Sequence, residues 1–218
     1  MPFTEGQLKE LKEAVARAEQ RTSAEIVPIV FDQSDDHSVA TWRGASAGVI
    51  LALTCCVAAY QFYSGWGLSW LYTGWGAVLV ISTFGVFGGL LGTFVPPVRR
   101  ALVGDERLSA VVHLRAMQAF VEEEVFATRD RTGLLLFISL FEHRVEVVAD
   151  SGIHSKVKTE EWGDIVARIR DGIRSGKLYE GLSEAFDLCG ELLESRGVEV
   201  RPDDEDELPN VVRVRKHP

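Results

Sequence analysis

The clearest pattern along the chain is a long gap in its polar positions. From Gly44 to Val98 there is no Asp, Glu, Lys, Arg or His, whereas a surface that meets water keeps such groups at short intervals. At about 1.5 Å per helical residue the tract is too long for one membrane span and suits two. The first span is predicted over 44–63 and the second over 71–95, with the glycine-rich stretch Ser64 to Trp70 as the turn between them. Pro96 and Pro97 are predicted to end the second span, because proline lacks the helical donor and restricts the residue before it. Neither span carries an acid, a base or a histidine, and an ion path or proton relay needs such groups. The hairpin therefore reads as an anchor or a greasy contact surface, not a transporter.

Outside this tract the pattern switches between helical and strand periods. Thr4-Glu5-Gly6-Gln7 has the form of a capping box, and Leu8, Leu11, Val15 and Ala18 recur at helical spacing to about Arg21. Ala24 to Phe31 is a β-rich run whose Pro28 predicts an edge position. Helical spacing returns over 105–128. Gly133 to Leu140 is a nearly continuous apolar run, as in a strand buried on both faces. Arg144 to Ala149 alternates and predicts its hairpin partner. Two helices follow, with apolar faces Trp162, Ile165, Val166, Ile169, Ile173 and Leu182, Phe186, Cys189, Leu193, stopping near Gly176 and Gly197.

One helix and one strand in residues 1–43 cannot bury both faces alone, so they are expected to join the sheet formed by 99–196. The predicted organisation is one split cytoplasmic α/β domain (1–43 and 99–196) with the transmembrane hairpin 44–98 inserted between its first strand and second helix. Residues 197–218 read as an acidic, proline-bounded tail, loose or docked through Val211, Val212 and Val214.

Charge orients the hairpin. Arg43 stands at one mouth and Arg99 with Arg100 at the other, while the turn is uncharged, which places both termini in the cytoplasm. Tyr60, Tyr63, Trp66, Trp70, Tyr72 and Trp75 cluster about the turn as an aromatic belt does. Gly44, Gly48 and Ala52 form a small-residue stripe on the first span, and Gly85, Gly88, Gly89 and Gly92 form one on the second. Such stripes serve packing within a hairpin or contact between copies. The net charge of −9 argues against nucleic acid as a partner. Cys55, Cys56 and Cys189 sit in apolar surroundings and make no disulfide framework. Lys9, Glu10, Lys12 and Glu13 occupy the place of a signal peptide's basic start and apolar run, so no cleaved leader is expected.

The order of Thr22 to Val27, Thr132 to Ser139, Arg144 to Val147, Gly152-Ile153 and Gly176 to Leu182 resembles the TPM-domain family. It is most similar to a branch of bacterial inner-membrane proteins in which a hairpin interrupts the domain after its first strand. The resemblance implies a small α/β sandwich. It also implies a range of roles: divalent-metal-linked acid phosphatase, photosystem repair, and modulation of membrane receptors. Family members often carry Asp-Asn-Gly before the central strand, where this chain has Arg131-Thr132-Gly133, and Gly-Leu-Glu after the next strand, where it has Gly152-Ile153-His154. A hard cation wants several oxygen ligands, so the loss of these acids argues against metal-dependent phosphatase chemistry.

The acids that remain define the candidate sites. Asp130 precedes the central strand and Asp150 follows its partner, so antiparallel pairing brings both to one end of the sheet, with His154 four residues on. A carboxylate and a histidine on loops support acid/base work or read as an ordinary turn and helix start. Asp32, Asp35 and Asp36 form a second cluster that either binds a divalent cation (calcium, magnesium or manganese) or is a solvated linker. No cofactor is otherwise implied. No Gly-x-Ser-x-Gly elbow, His-Glu-x-x-His motif or Cys-x-x-Cys pair is present. The expected protein is a non-catalytic accessory in membrane-protein assembly or quality control, with the lipid bilayer and other membrane proteins as partners. The alternatives are a phosphatase-like hydrolase and a homo-oligomeric structural protein.

Overall fold

The computed structural model describes residues 2–62, 70, 73–200 and 207–216. The chain divides into two compact units, Met1–Asp35 with Ser109–Pro218, and Asp36–Leu108.

The first unit is built on a four-stranded sheet of order β3-β2-β1-β4, with β1 Glu25–Phe31, β2 Gly133–Ser139, β3 Arg144–Ala149 and β4 Arg213–Arg215. β1 and β2 run parallel in register Glu25↔Gly133 to Phe31↔Ser139, while β3 returns antiparallel to β2. Every residue of β1 and β2 is buried. Helices therefore cover both faces. Alternate residues Ile26, Val30, Leu134, Leu136 and Ile138 point into one core with α1 (Glu5–Glu19), α7 (Gly163–Ser175) and α8 (Leu178–Ser195). Val27, Ile29, Phe31, Leu135 and Phe137 point into the other, against Val112, Ala116 and Ala119 of α5 (Asp105–Glu122). The capping box forms as its sequence predicts: the Thr4 hydroxyl accepts from Gln7 N at 3.3 Å and Gln7 Oε1 accepts from Thr4 N at 2.9 Å. Gly176 closes α7 in the left-handed region at φ 72°, where glycine has no Cβ penalty.

Pro28 is not on an outer strand, because β4 lies beyond β1. β4 pairs only with Ile29–Phe31, however, and leaves the first half of that flank without a strand partner. Glu25 N donates to Thr132 O and Phe31 O accepts from Leu140 N, so odd residues of β1 face β2. Even residues face the opposite way: Asp32 N donates to Arg215 O and Ile26 N to Glu19 Oε1. At Pro28 that flank lacks an N–H to satisfy, and the proline costs no ladder bond.

In the second unit α2 (Ser38–Phe62) and α3 (Gly74–Phe94) are each long and apolar enough to cross a bilayer. Only 11% and 17% of their apolar windows are buried within the protein, so they are not core helices. Glycine stripes pair them in antiparallel fashion. A Cβ on Gly44 would lie 2.3 Å from Gly88 O, on Gly48 2.1 Å from Phe84 O, and on Gly92 2.4 Å from Ala40 O. The Thr41 and Thr93 hydroxyls meet at 2.8 Å. Pro96 and Pro97 end α3 as the sequence predicts, and they also begin a short helix, α4 (Pro96–Val103). Proline suits a first turn because its missing donor would be unused there. Arg43 Nη1 donates to Leu102 O and Val103 O at 2.7 and 2.9 Å, closing the end of α4. Tyr60 and Trp75 are exposed; of the predicted turn Ser64 to Trp70, residues 64–69 with Trp66 among them lie outside the described residues, as do Tyr63 and Tyr72. So do residues 201–206 of the predicted acidic tail.

Candidate functional site

The antiparallel β2–β3 pair brings the start of β2 and the end of β3 together. Asp150 N donates to Gly133 O and Gly152 N to Arg131 O, both at 2.9 Å. Gly152 presses on the preceding turn so closely that a Cβ there would lie 2.4 Å from Asp130 O and 2.7 Å from Arg131 O. Asp130, Asp150 and His154 thus gather at one end of the sheet. They gather chiefly through backbone.

The side chain of Asp150 is 12% exposed and already occupied. Its Oδ1 accepts from Ser151 N at 2.6 Å, capping the one-turn helix α6 (Ser151–His154). Its Oδ2 faces the guanidinium of Arg131 at 3.5 Å. Arg131 itself sits at φ 57°, a region in which a bulky side chain is uncommon. Asp130 and His154 are exposed. A helix cap facing a fixed cation holds a turn in place; it is poorly placed to carry protons.

The family resemblance implies a divalent cation, and the donor set at this end does not fit one. A hard cation needs several oxygens around it, whereas the buried carboxylate here is shared between a backbone N–H and a guanidinium. Among the described residues no three His, Cys, Asp or Glu side chains gather as a metal would require. In the second cluster, Asp32 Oδ1 accepts from Gln33 N at 2.8 Å. Asp36 Oδ1 accepts from Ser38 N at 3.2 Å, ahead of α2. Asp35 closes the first unit's opening segment and Asp36 opens the second unit.

Two polar groupings escaped the sequence reading. At the carboxyl ends of β1 and β2, where open α/β sheets tend to bind ligands, Ser34, Ser139 and Glu142 are buried together. The Ser34 and Ser139 hydroxyls lie 2.7 Å apart, Ser34 N donates to Glu142 Oε1 at 2.9 Å, and Ser139 Oγ donates to Glu142 Oε2. This end is filled by the protein's own hydrogen bonds. The signal was Ser139 at the close of an apolar run, with Glu142 three residues later. The second grouping lies on β4: Glu123 Oε2 meets Arg213 Nε at 3.0 Å and its Oε1 meets Arg215 Nη2 at 2.6 Å. Its signal was the alternation Val212-Arg213-Val214-Arg215, which has strand period. Cys189 offers no nucleophile, since complete burial pushes its thiol up and leaves it protonated. His113, on α5, pairs with Glu146 of β3 at 2.8 Å.

Residues 107–192 match the family model for the TPM domain. The NMR structure of the BA42 protein from the psychrophilic bacterium Bizionia argentinensis is similar in fold, with a TM-score of 0.58. It shares 17% identity over 98% of this chain and 95% of that one. No curated protein matches the sequence. Residues 107–192 are thus similar to a TPM domain, and two helices of the chain are long and apolar enough to span a membrane.

Proposed function

We propose that this is an integral membrane protein that holds its TPM-bearing α/β unit on the cytoplasmic side, as a non-catalytic accessory in membrane-protein assembly or quality control. The observation that carries the reading is a contrast. Ile50, Phe62, Trp75 and Phe87 stand 59–86% exposed on helices that bury little of themselves, a surface that prefers lipid to water. Asp150 and Glu142 of the α/β unit, by contrast, are spent on capping, pairing and closing turns. Arg43, Arg99 and Arg100 at the mouths support the cytoplasmic placement of both ends.

Alkaline carbonate washing tests the anchor: the chain is expected to stay with the membrane pellet, and its release would remove the reading. Affinity purification from gently solubilised membranes tests the accessory role, with recovery of the chain alone counting against it. The rival hydrolase reading rests on Asp150 Oδ2, a buried oxygen that accepts no hydrogen bond. It predicts hydrolysis of aryl phosphates with added calcium, magnesium or manganese, lost in Asp150→Asn. A homo-oligomeric role would need surfaces other than Gly44, Gly48, Gly88 and Gly92, which the hairpin already uses on itself.

A further inference from the structure

The flank of β1 beyond Pro28 is a seat for an extended strand, and the chain's own tail fills it in a particular way. β4 aligns Ile29↔Arg213, Val30↔Val214 and Phe31↔Arg215, and Arg215 O accepts from Asp32 N at 3.2 Å. Side chains of a strand alternate between faces. Val212 and Val214 go to the core of α1, α7 and α8, while Arg213 and Arg215 both reach Glu123 at the end of α5. The seat therefore reads a pattern: cation, β-branched apolar residue, cation.

The tail is an imperfect occupant. Only three residue pairs join it to the sheet, and Arg215 is 55% exposed. Asn210 Oδ1 and Arg213 Nη1 are buried with no hydrogen-bond partner, and each such orphan weakens the seated state. A strand without those orphans would compete with it.

We propose that this flank of β1, with Glu123, is a strand-acceptor site for a basic extended segment of another membrane protein, in competition with the chain's own β4. This deepens the accessory reading above and rests on it for the partner's identity. Membrane proteins concentrate Lys and Arg in the cytoplasmic segments flanking their spans. Such segments supply the two cations, and a host of net charge −9 attracts them over a distance. Main-chain bonds to Val30 and Asp32 supply affinity, and Glu123 supplies selection, as in other cases of strand addition.

The test uses the full chain in detergent and a labelled peptide with the sequence of residues 209–216. In a chain carrying Arg213→Glu and Arg215→Glu the tail is repelled from Glu123 and the seat opens. That variant is expected to bind the peptide at least about tenfold more tightly than the parent. Adding Glu123→Gln should remove the gain, and a peptide with both arginines changed to glutamate should not bind. Equal binding of the two peptides, or no gain on release, overturns the proposal. Should the double variant lose protection of its β2 amides and so fail to fold, the isotope-labelled parent decides the matter. Excess peptide must then speed exchange of the Arg215 amide, whose residue faces β1, while Val30 and Asp32 stay protected; unchanged exchange overturns the proposal. A doubling of mass on release would assign the seat to the tail of a second copy, and overturn it likewise. Neither binding nor exchange depends on a bilayer, so failure here leaves the anchor intact, and release by carbonate would leave the peptide result intact.

Discussion

At Asp150 a cap and a catalytic carboxylate make opposite demands on one side chain. As a cap, its Oδ1 needs only to accept from Ser151 N, which an asparagine does about as well. Its partner Arg131 is 56% exposed, and a pair of that kind contributes little. Asp150→Asn should therefore leave the unfolding midpoint almost unchanged. Asp150→Ala should cost about 1 kcal/mol in denaturant unfolding. Gly152→Ala should cost more, about 1–3 kcal/mol, because its new methyl meets two backbone carbonyls that cannot turn aside. Gly133 is equally constrained: a Cβ there would lie 1.9 Å from Val125 O. Cys189 gives a further check at this scale. Its thiol is buried and held protonated, so a maleimide at neutral pH should label it only after the chain unfolds.

Among the elements, the two glycine stripes separate contact from proximity. Gly88 leaves no room for a methyl, with Gly44 O at 2.2 Å, whereas Gly89 would place one 3.6 Å from Ala45 Cβ, an ordinary contact. With the native cysteines removed, cysteines at positions 41 and 93 report pairing through disulfide formation, since the native hydroxyls meet there. Gly88→Ala should weaken the helix pair by about 1–3 kcal/mol and slow that crosslink, and Gly89→Ala should not. Both glycines were visible in the sequence as one stripe; which of them touches backbone depends on the rotation of the helices, which periodicity leaves unset. The same division holds across the fold. Helix and strand periods, the capping box and the buried β2 were legible because each is written in local spacing. Pro28 was legible only as an edge signal, since a half-length neighbour such as β4 comes from the far end of the chain. In the sequence Arg131 is only the place where the resembled family carries an acid; its role opposite Asp150 needs the β2–β3 pairing to appear. The Ser34–Ser139–Glu142 grouping likewise joins residues that only the parallel β1–β2 register brings together.

For the molecule as a whole, the decisive relation is between an interrupted sequence and an uninterrupted core. β1 and β2 pair along their full length although the apolar hairpin lies between them in the chain. Both cores of the sheet draw on residues of the first unit, from Phe3 to Val212 on one face and from Val27 to Phe137 on the other. Neither includes a residue of α2, α3 or α4. The hairpin thus enters the stability of the sheet only as a loop, and closing a loop depends weakly on its length, by about 0.6 kcal/mol per doubling. Replacing residues 38–104 with a flexible linker of roughly fifteen residues should then give a chain that needs no detergent. It should unfold in one cooperative step and keep the exchange protection of β1 and β2. The linker removes the exposed apolar helices and leaves both cores whole, so solubility should rise while stability changes little. Loss of β1–β2 protection in that chain would mean that the hairpin shapes the sheet as well as tethering it, and the division into anchor and module would have to be abandoned.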